Sequence, residues 1–98
     1  MESRLLYKTT NSIKVDYNDW IHFGTEQDID IKLVDSTISE FFNDTSIYLV
    51  FERTNSGAFD AELFHSILGK KNFFLWDMEL SKTIEFKNIG VLRTGIKA

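Results

Sequence analysis

No cysteine occurs among the 98 residues of this chain, and that absence constrains its folding more than any residue that is present. Small chains bury a smaller share of their surface than large ones, and many depend on disulfides or bound metal for stability. Without cysteine, a disulfide framework, a thiolate metal site, an iron–sulfur cluster and a thiol nucleophile are all excluded. Stability has to come from packing, and the means are at hand. Hydrophobic residues make up 43% of the chain, and nine Phe, three Tyr and two Trp supply large rings that remove much apolar area from water. A small fold held by its core alone fits a reducing compartment, so a cytoplasmic location is expected. The opening residues Met1-Glu2-Ser3-Arg4-Leu5-Leu6-Tyr7-Lys8 have neither the basic start nor the apolar run of a signal peptide. No stretch approaches the roughly 18 consecutive apolar residues of a membrane span.

Repeats, low-complexity tracts and charge runs are absent, and with no Pro in the chain the commonest mark of an internal boundary is missing. One compact domain over 1–98 is expected. Residues 4–9 and 12–23 alternate in places (Ile13, Val15, Tyr17) and favour strands, with Asn18-Asp19 as a turn. From Thr25 two readings compete. Thr25-Glu26-Gln27-Asp28 has capping-box spacing, and Ile31, Val34, Ile38, Phe41 and Phe42 recur at helical intervals, which favours a helix over 26–43. The rival is a short strand at 29–34 followed by a helix capped at Asp35. Ile47-Tyr48-Leu49-Val50-Phe51 reads as a strand buried on both faces. Phe59, Leu63, Phe64, Ile67 and Leu68 line one face of a helix over 59–68, with Ser56 as cap, Asp60 and Glu62 at its positive end and Gly69 at its close. Residues 72–76 form a second apolar strand. A hairpin of 83–86 and 89–93 follows, turning near Lys87-Asn88 with Gly90 as a bulge, and the last residues should fray.

These elements predict an α+β fold: a two-layer sandwich with a mixed, mostly antiparallel sheet of about five strands and two helices on one face. A wholly antiparallel sheet is the alternative. If strands 47–52 and 73–76 are neighbours joined by the 59–68 helix, their connection suits a right-handed parallel crossover. Their C-terminal ends would then share an edge, where ligands of open α/β sheets commonly bind. That edge would gather Arg53, Asn55 and Ser56 with Trp76 and Asp77, the Thr54-Asn55-Ser56-Gly57 loop accepting an anion and Trp76 offering a stacking surface. The competing reading is an ordinary turn, with Ser56 capping, Gly57 relieving the backbone and Arg53 paired with an acid. The loop matches neither a Walker motif nor a dinucleotide fingerprint, having one Gly and no following Lys.

Other chemistry is sparse. His22 and His65 are the two imidazoles, and only Glu62 stands at ligand spacing from one of them; His65 reads as a helix-flank residue. Asp77 and Glu79 are spaced like ordinary strand-end acids. No metal and no cofactor is expected, and the acidic cluster lacks the EF-hand pattern.

Charge is the remaining signal. Fifteen acids against eleven bases give a net charge of −4, which argues against a nucleic-acid binder. The acids are unevenly placed. Glu2, Asp16, Asp19, Glu26, Asp28, Asp30, Asp35, Glu40 and Asp44 fall in the first half against Arg4, Lys8, Lys14 and Lys32, whereas the second half is slightly basic. Asp16, Asp19, Glu26, Asp28, Asp30 and Asp35 are therefore the candidate partner-binding residues, steering a basic protein by complementary charge. The function this favours is a non-enzymatic interaction domain, an inhibitor or immunity-type protein that neutralises a basic partner such as a nuclease toxin. A small enzyme or anionic-ligand-binding domain at 53–57 and Asp77 is the alternative, and exposed members of the Phe set would provide a surface for homo-oligomers.

Overall fold

The computed structural model describes residues 1–25, 27–43 and 45–98. Its organising element is strand β5 (Ile47–Glu52), in which Leu49 and Val50 point to opposite faces and are 1% and 2% exposed. A segment apolar on both sides needs cover on both, and that requirement arranges the rest of the chain. β5 turns at Arg53-Thr54 into β6 (Asn55–Ala58), its antiparallel neighbour on one side. β7 (Phe73–Asp77) lies on the other side, also antiparallel, with Ile47 opposite Asp77 and Val50 opposite Phe74. β8 (Lys82–Lys87) and β9 (Val91–Lys97) extend the sheet as a hairpin, and β1 (Val15–Tyr17) and β2 (Ile21–His22) both pair with the outer edge of β9. The sheet runs β1-β9-β8-β7-β5-β6, seven-stranded when β2 is included. Every pairing among the described residues is antiparallel.

The expected parallel crossover between 47–52 and 73–76 is therefore corrected. A crossover does exist, but it joins β6 to β7, which run parallel to one another with β5 between them. The hairpin at Arg53-Thr54 reverses the chain before the helix begins. Helix α3 (Ala61–Ile67) is accordingly capped by Asp60, which accepts from the N–H groups of Glu62 and Leu63 at 3.0 and 3.1 Å, and not by Ser56. Gly69 follows it at φ 75, as its place after the last turn predicts.

Helix α2 (Ile31–Phe42) starts later than the capping-box spacing suggests. β3 (Gly24–Thr25) and β4 (Asp28–Ile29) pair as a two-stranded ribbon, and Asp30 becomes the cap, accepting from Leu33 N–H at 3.1 Å. Cross-strand pairing of residues 28 and 29 outweighs their helical propensity. Gly24 makes the ribbon close: at φ 111, a Cβ there would sit 2.0 Å from Asp28 O.

Residues 4–9, expected as a strand, lie in helix α1 (Ser3–Asn11). Glu2 accepts from Arg4 N–H at 2.9 Å, and Leu6 and Tyr7 pack on Val50 and Trp76. That docking overrides the weak β preference of Tyr and Thr. α1 covers the face of the sheet opposite to α2 and α3, so the expected two helices on one face are joined by a third helix on the other. On the α2 and α3 face the core is aromatic. Phe73 and Phe86 stack at 4.6 Å, and Phe64 meets both edge-on at 5.7 and 5.8 Å.

The 88–90 turn holds Gly90 at φ 91, in the turn itself and not in a bulge, with Gly90 O accepting from Phe23 N–H at 2.8 Å. The C-terminus does not fray: Lys97 N–H donates to Ser81 O and Ala98 N–H to Lys14 O, at 2.8 and 2.9 Å. Among the described residues no helix is long and apolar enough to cross a membrane.

Candidate functional site

The antiparallel register separates the residues expected at one sheet edge. Asp77 stands beside Ile47 at the start of β5, and Arg53 follows its end. Six residues of strand, at about 3.3 Å each, put roughly 20 Å between those positions. Trp76 is 2% exposed and packs with Leu6 and Val50, so it offers no surface to a ligand.

The polar groups of the loop are used locally. Ser56 Oγ donates to Glu52 O at 2.7 Å and accepts from Phe51 N–H at 3.1 Å, bridging the irregular register at the end of β5. Ser3 Oγ donates to Arg53 O at 2.8 Å and accepts from Ser56 N–H at 2.9 Å, tying α1 to the hairpin. Arg53 and Asn55 are exposed. Asp77 is 8% exposed and accepts from Ser81 N–H, Ser81 Oγ–H and Lys82 N–H at 2.7, 2.6 and 3.0 Å. It closes the β7–β8 turn, in which Leu80 is held at φ 56.

The acids of the first half lie at the surface. Asp16 is exposed on β1, Asp19 in the β1–β2 connection, Asp28 on β4, Asp30 at the α2 cap and Asp35 on α2. Glu26 lies outside the described residues. The ion pairs among the described residues are those of Glu85 with Lys87 and Arg93, so these five carboxylates have no such partner there. Asp35 also borders a cleft of about 400 Å³ between α2 and α3, where Ile38, Phe42, Phe59 and Phe64 form apolar walls and His65 stands opposite. Phe59 is 37% exposed. The cleft can take an apolar or long aliphatic side chain, with a carboxylate at its rim for a cationic end. His22 and His65 are both exposed. Among the described residues no three His, Asp or Glu side chains are placed to hold a metal ion.

A second constellation is built on β8 and β9. Glu85 and Arg93 are cross-strand partners, and Arg93 Nε donates to Glu85 Oε1 at 2.8 Å. Lys87 Nζ lies 3.3 Å from the other oxygen of the same carboxylate. The guanidinium carbon is 3.8 Å from the centre of the Tyr17 ring and 4.3 Å from that of Trp20, so the cation sits between two aromatic rings. Gly95 makes room for this: a Cβ there would lie 2.6 Å from Tyr17 Cδ1. Asn18 places Trp20, its N–H donating to Thr94 O and its amide to Thr94 Oγ1, both at 2.8 Å. Partial burial, and then the Glu85 charge, push the Tyr17 phenol above its ordinary value, against the opposing pull of Arg93. Sequence reasoning missed this group. The Glu85–Arg93 pair follows from the hairpin register once the turn is set at 88–90. Nothing in the spacing of Tyr17 and Trp20 points to Arg93, because both arrive from the opposite end of the chain.

Comparison with protein-family models, with characterised proteins and with solved structures finds no match to this chain.

Proposed function

We propose that this protein is a non-enzymatic interaction domain that docks a basic protein partner through the carboxylates of its first half, in the manner of an inhibitor or immunity-type protein. One observation carries the reading: Asp16, Asp19, Asp28, Asp30 and Asp35 are exposed and have no ion-pair partner among the described residues. Exposed charges of one sign without compensation attract a basic partner and raise its association rate. The α2–α3 cleft beside Asp35 supplies the apolar contact that a charged face lacks. The alternative of an anionic ligand shared by Arg53 and Asp77 loses its geometric basis, since the two are at opposite ends of β5.

The test compares the wild type with a variant carrying Asp→Asn at the five positions, in which Asn retains the capping oxygen at residue 30. Tagged protein is used to capture partners from source-cell lysate at low and high salt, with thermal melts to show that both forms fold. A stoichiometric basic protein that is released by salt, is lost with the variant and has its own activity suppressed by the wild type establishes the reading. Equal capture by the folded variant, or no partner at either salt, overturns it.

A further inference from the structure

The Arg93 constellation holds more positive charge than its own carboxylate can match. Glu85 is buried, its side chain 9% exposed, and it meets two cations: Arg93 through Nε and Lys87 through Nζ. Arg–carboxylate pairs are frequently bidentate, with two parallel N–H groups of the guanidinium fork on the carboxylate. Here Nε alone donates to Glu85, and among the described residues neither Nη group has a protein acceptor. The rings of Tyr17 and Trp20 lie close against the guanidinium, and its Nη groups are left without a protein acceptor among the described residues. The Arg93 side chain retains 29% exposure. A guanidinium already held by one carboxylate and two rings loses little freedom when its Nη groups are bound, and its weak hydration favours the bond that forms there.

We propose that the Nη edge of Arg93 is a binding site for a carboxylate carried by an acidic segment of a partner protein. The fork matches a planar carboxylate with two parallel hydrogen bonds, and the net positive charge of Arg93 and Lys87 over Glu85 attracts it. The surroundings favour a protein segment over a free ion. Trp20 is 42% exposed beside the cation, giving the apolar contact that a peptide makes and a small ion does not. Arg, Trp and Tyr together are also the side chains that dominate binding energy at protein interfaces. The site recruits charge opposite to that sought by the exposed carboxylates, of which Asp19 adjoins Trp20 in the chain, and tetraglutamate as titrant reports on Arg93 alone.

The experiment is an NMR titration of the isotope-labelled wild type with tetraglutamate, following the Arg93 Nε–H and Trp20 indole N–H signals. Sodium chloride at matched ionic strength and inorganic phosphate are the comparison titrants. The expected result is a saturable shift of both signals with tetraglutamate, absent with chloride and weaker with phosphate. Arg93→Lys, which keeps the charge and removes the fork, should weaken binding by about tenfold or more. Trp20→Ala should weaken it while leaving the fold intact. Three results would each overturn the proposal: shifts no larger than those with chloride, unchanged affinity in a folded Arg93→Lys variant, and tighter binding of phosphate than of tetraglutamate. Because the wild-type titration is decisive, a variant that fails to fold does not shield the proposal.

Discussion

Replacing Asp77 by Ala removes a carboxylate that accepts three hydrogen bonds, two from the N–H groups of Ser81 and Lys82 and one from the Ser81 hydroxyl. Hydrogen bonds to charged groups contribute about 1.5–3 kcal/mol each, but the three share one acceptor and one turn and will not add. The Ala variant also leaves two part-buried N–H groups to find water and releases the constraint that holds Leu80 at positive φ. A loss of about 3 kcal/mol is expected. For a chain near 100 residues each kcal/mol lowers Tm by roughly 4–8 °C, so the fall should exceed about 10 °C. Asp77→Asn keeps an acceptor oxygen for both N–H groups and should lose only about 1 kcal/mol. Thermal and urea unfolding followed by circular dichroism measure both. Equal losses for Ala and Asn, or an Ala variant as stable as the wild type, would refute the assignment of Asp77 to the turn and return it to the ligand-binding candidates.

Three further outcomes follow from the packing. Gly90→Ala places a Cβ 1.7 Å from Gly24 O at φ 91, so the 88–90 turn and the ribbon beneath it must part; a loss of more than about 3 kcal/mol is expected in a urea melt, and a near-neutral result would contradict the close approach. Phe86→Ala empties the ring that stacks on Phe73 and meets Phe23 and Phe64 edge-on; the expected cost of about 3–5 kcal/mol is read by the same assay. Tyr17 ionises above the ordinary 10.0 of tyrosine, so its contribution to stability is full below that value and is lost as the pH rises through the higher folded-state value. Absorbance titration should show a tyrosine step above the ordinary value, and Tyr17→Phe should remove that step together with part of the alkaline loss of stability.

Legibility in the sequence depended on how local the cause was. The strands at 47–52 and 73–77 and the closing hairpin were readable because their residues are apolar or alternate whatever they pair with. α3 was readable as an apolar stripe, though its cap was misplaced by four residues. Ser56 and Asp60 are both good capping residues, and only the hairpin decides between them by taking Ser56 into β6. α1 was missed because Leu5-Leu6-Tyr7 has no clear period in so short a segment, and its helical form depends on docking against Val50 and Trp76. The acidic candidates among the described residues are exposed, since a carboxylate without a partner stays in water wherever the chain places it. Arg53 and Asp77, expected at one edge, are set apart by strand direction, which short-range pattern does not reveal.

By itself the sequence determined that this chain would be an α+β fold held by an aromatic core without disulfides, with an acidic first half. Those properties follow from composition and short-range pattern, which act before any long-range contact forms. Tertiary structure decided the direction of β7 beside β5, the side of the sheet that α1 covers and the meeting of Tyr17, Trp20 and Arg93. Each of these sets residues far apart in the chain against one another, and the free energy that selects among such arrangements comes from complementary packing, which exists only once the chain has folded.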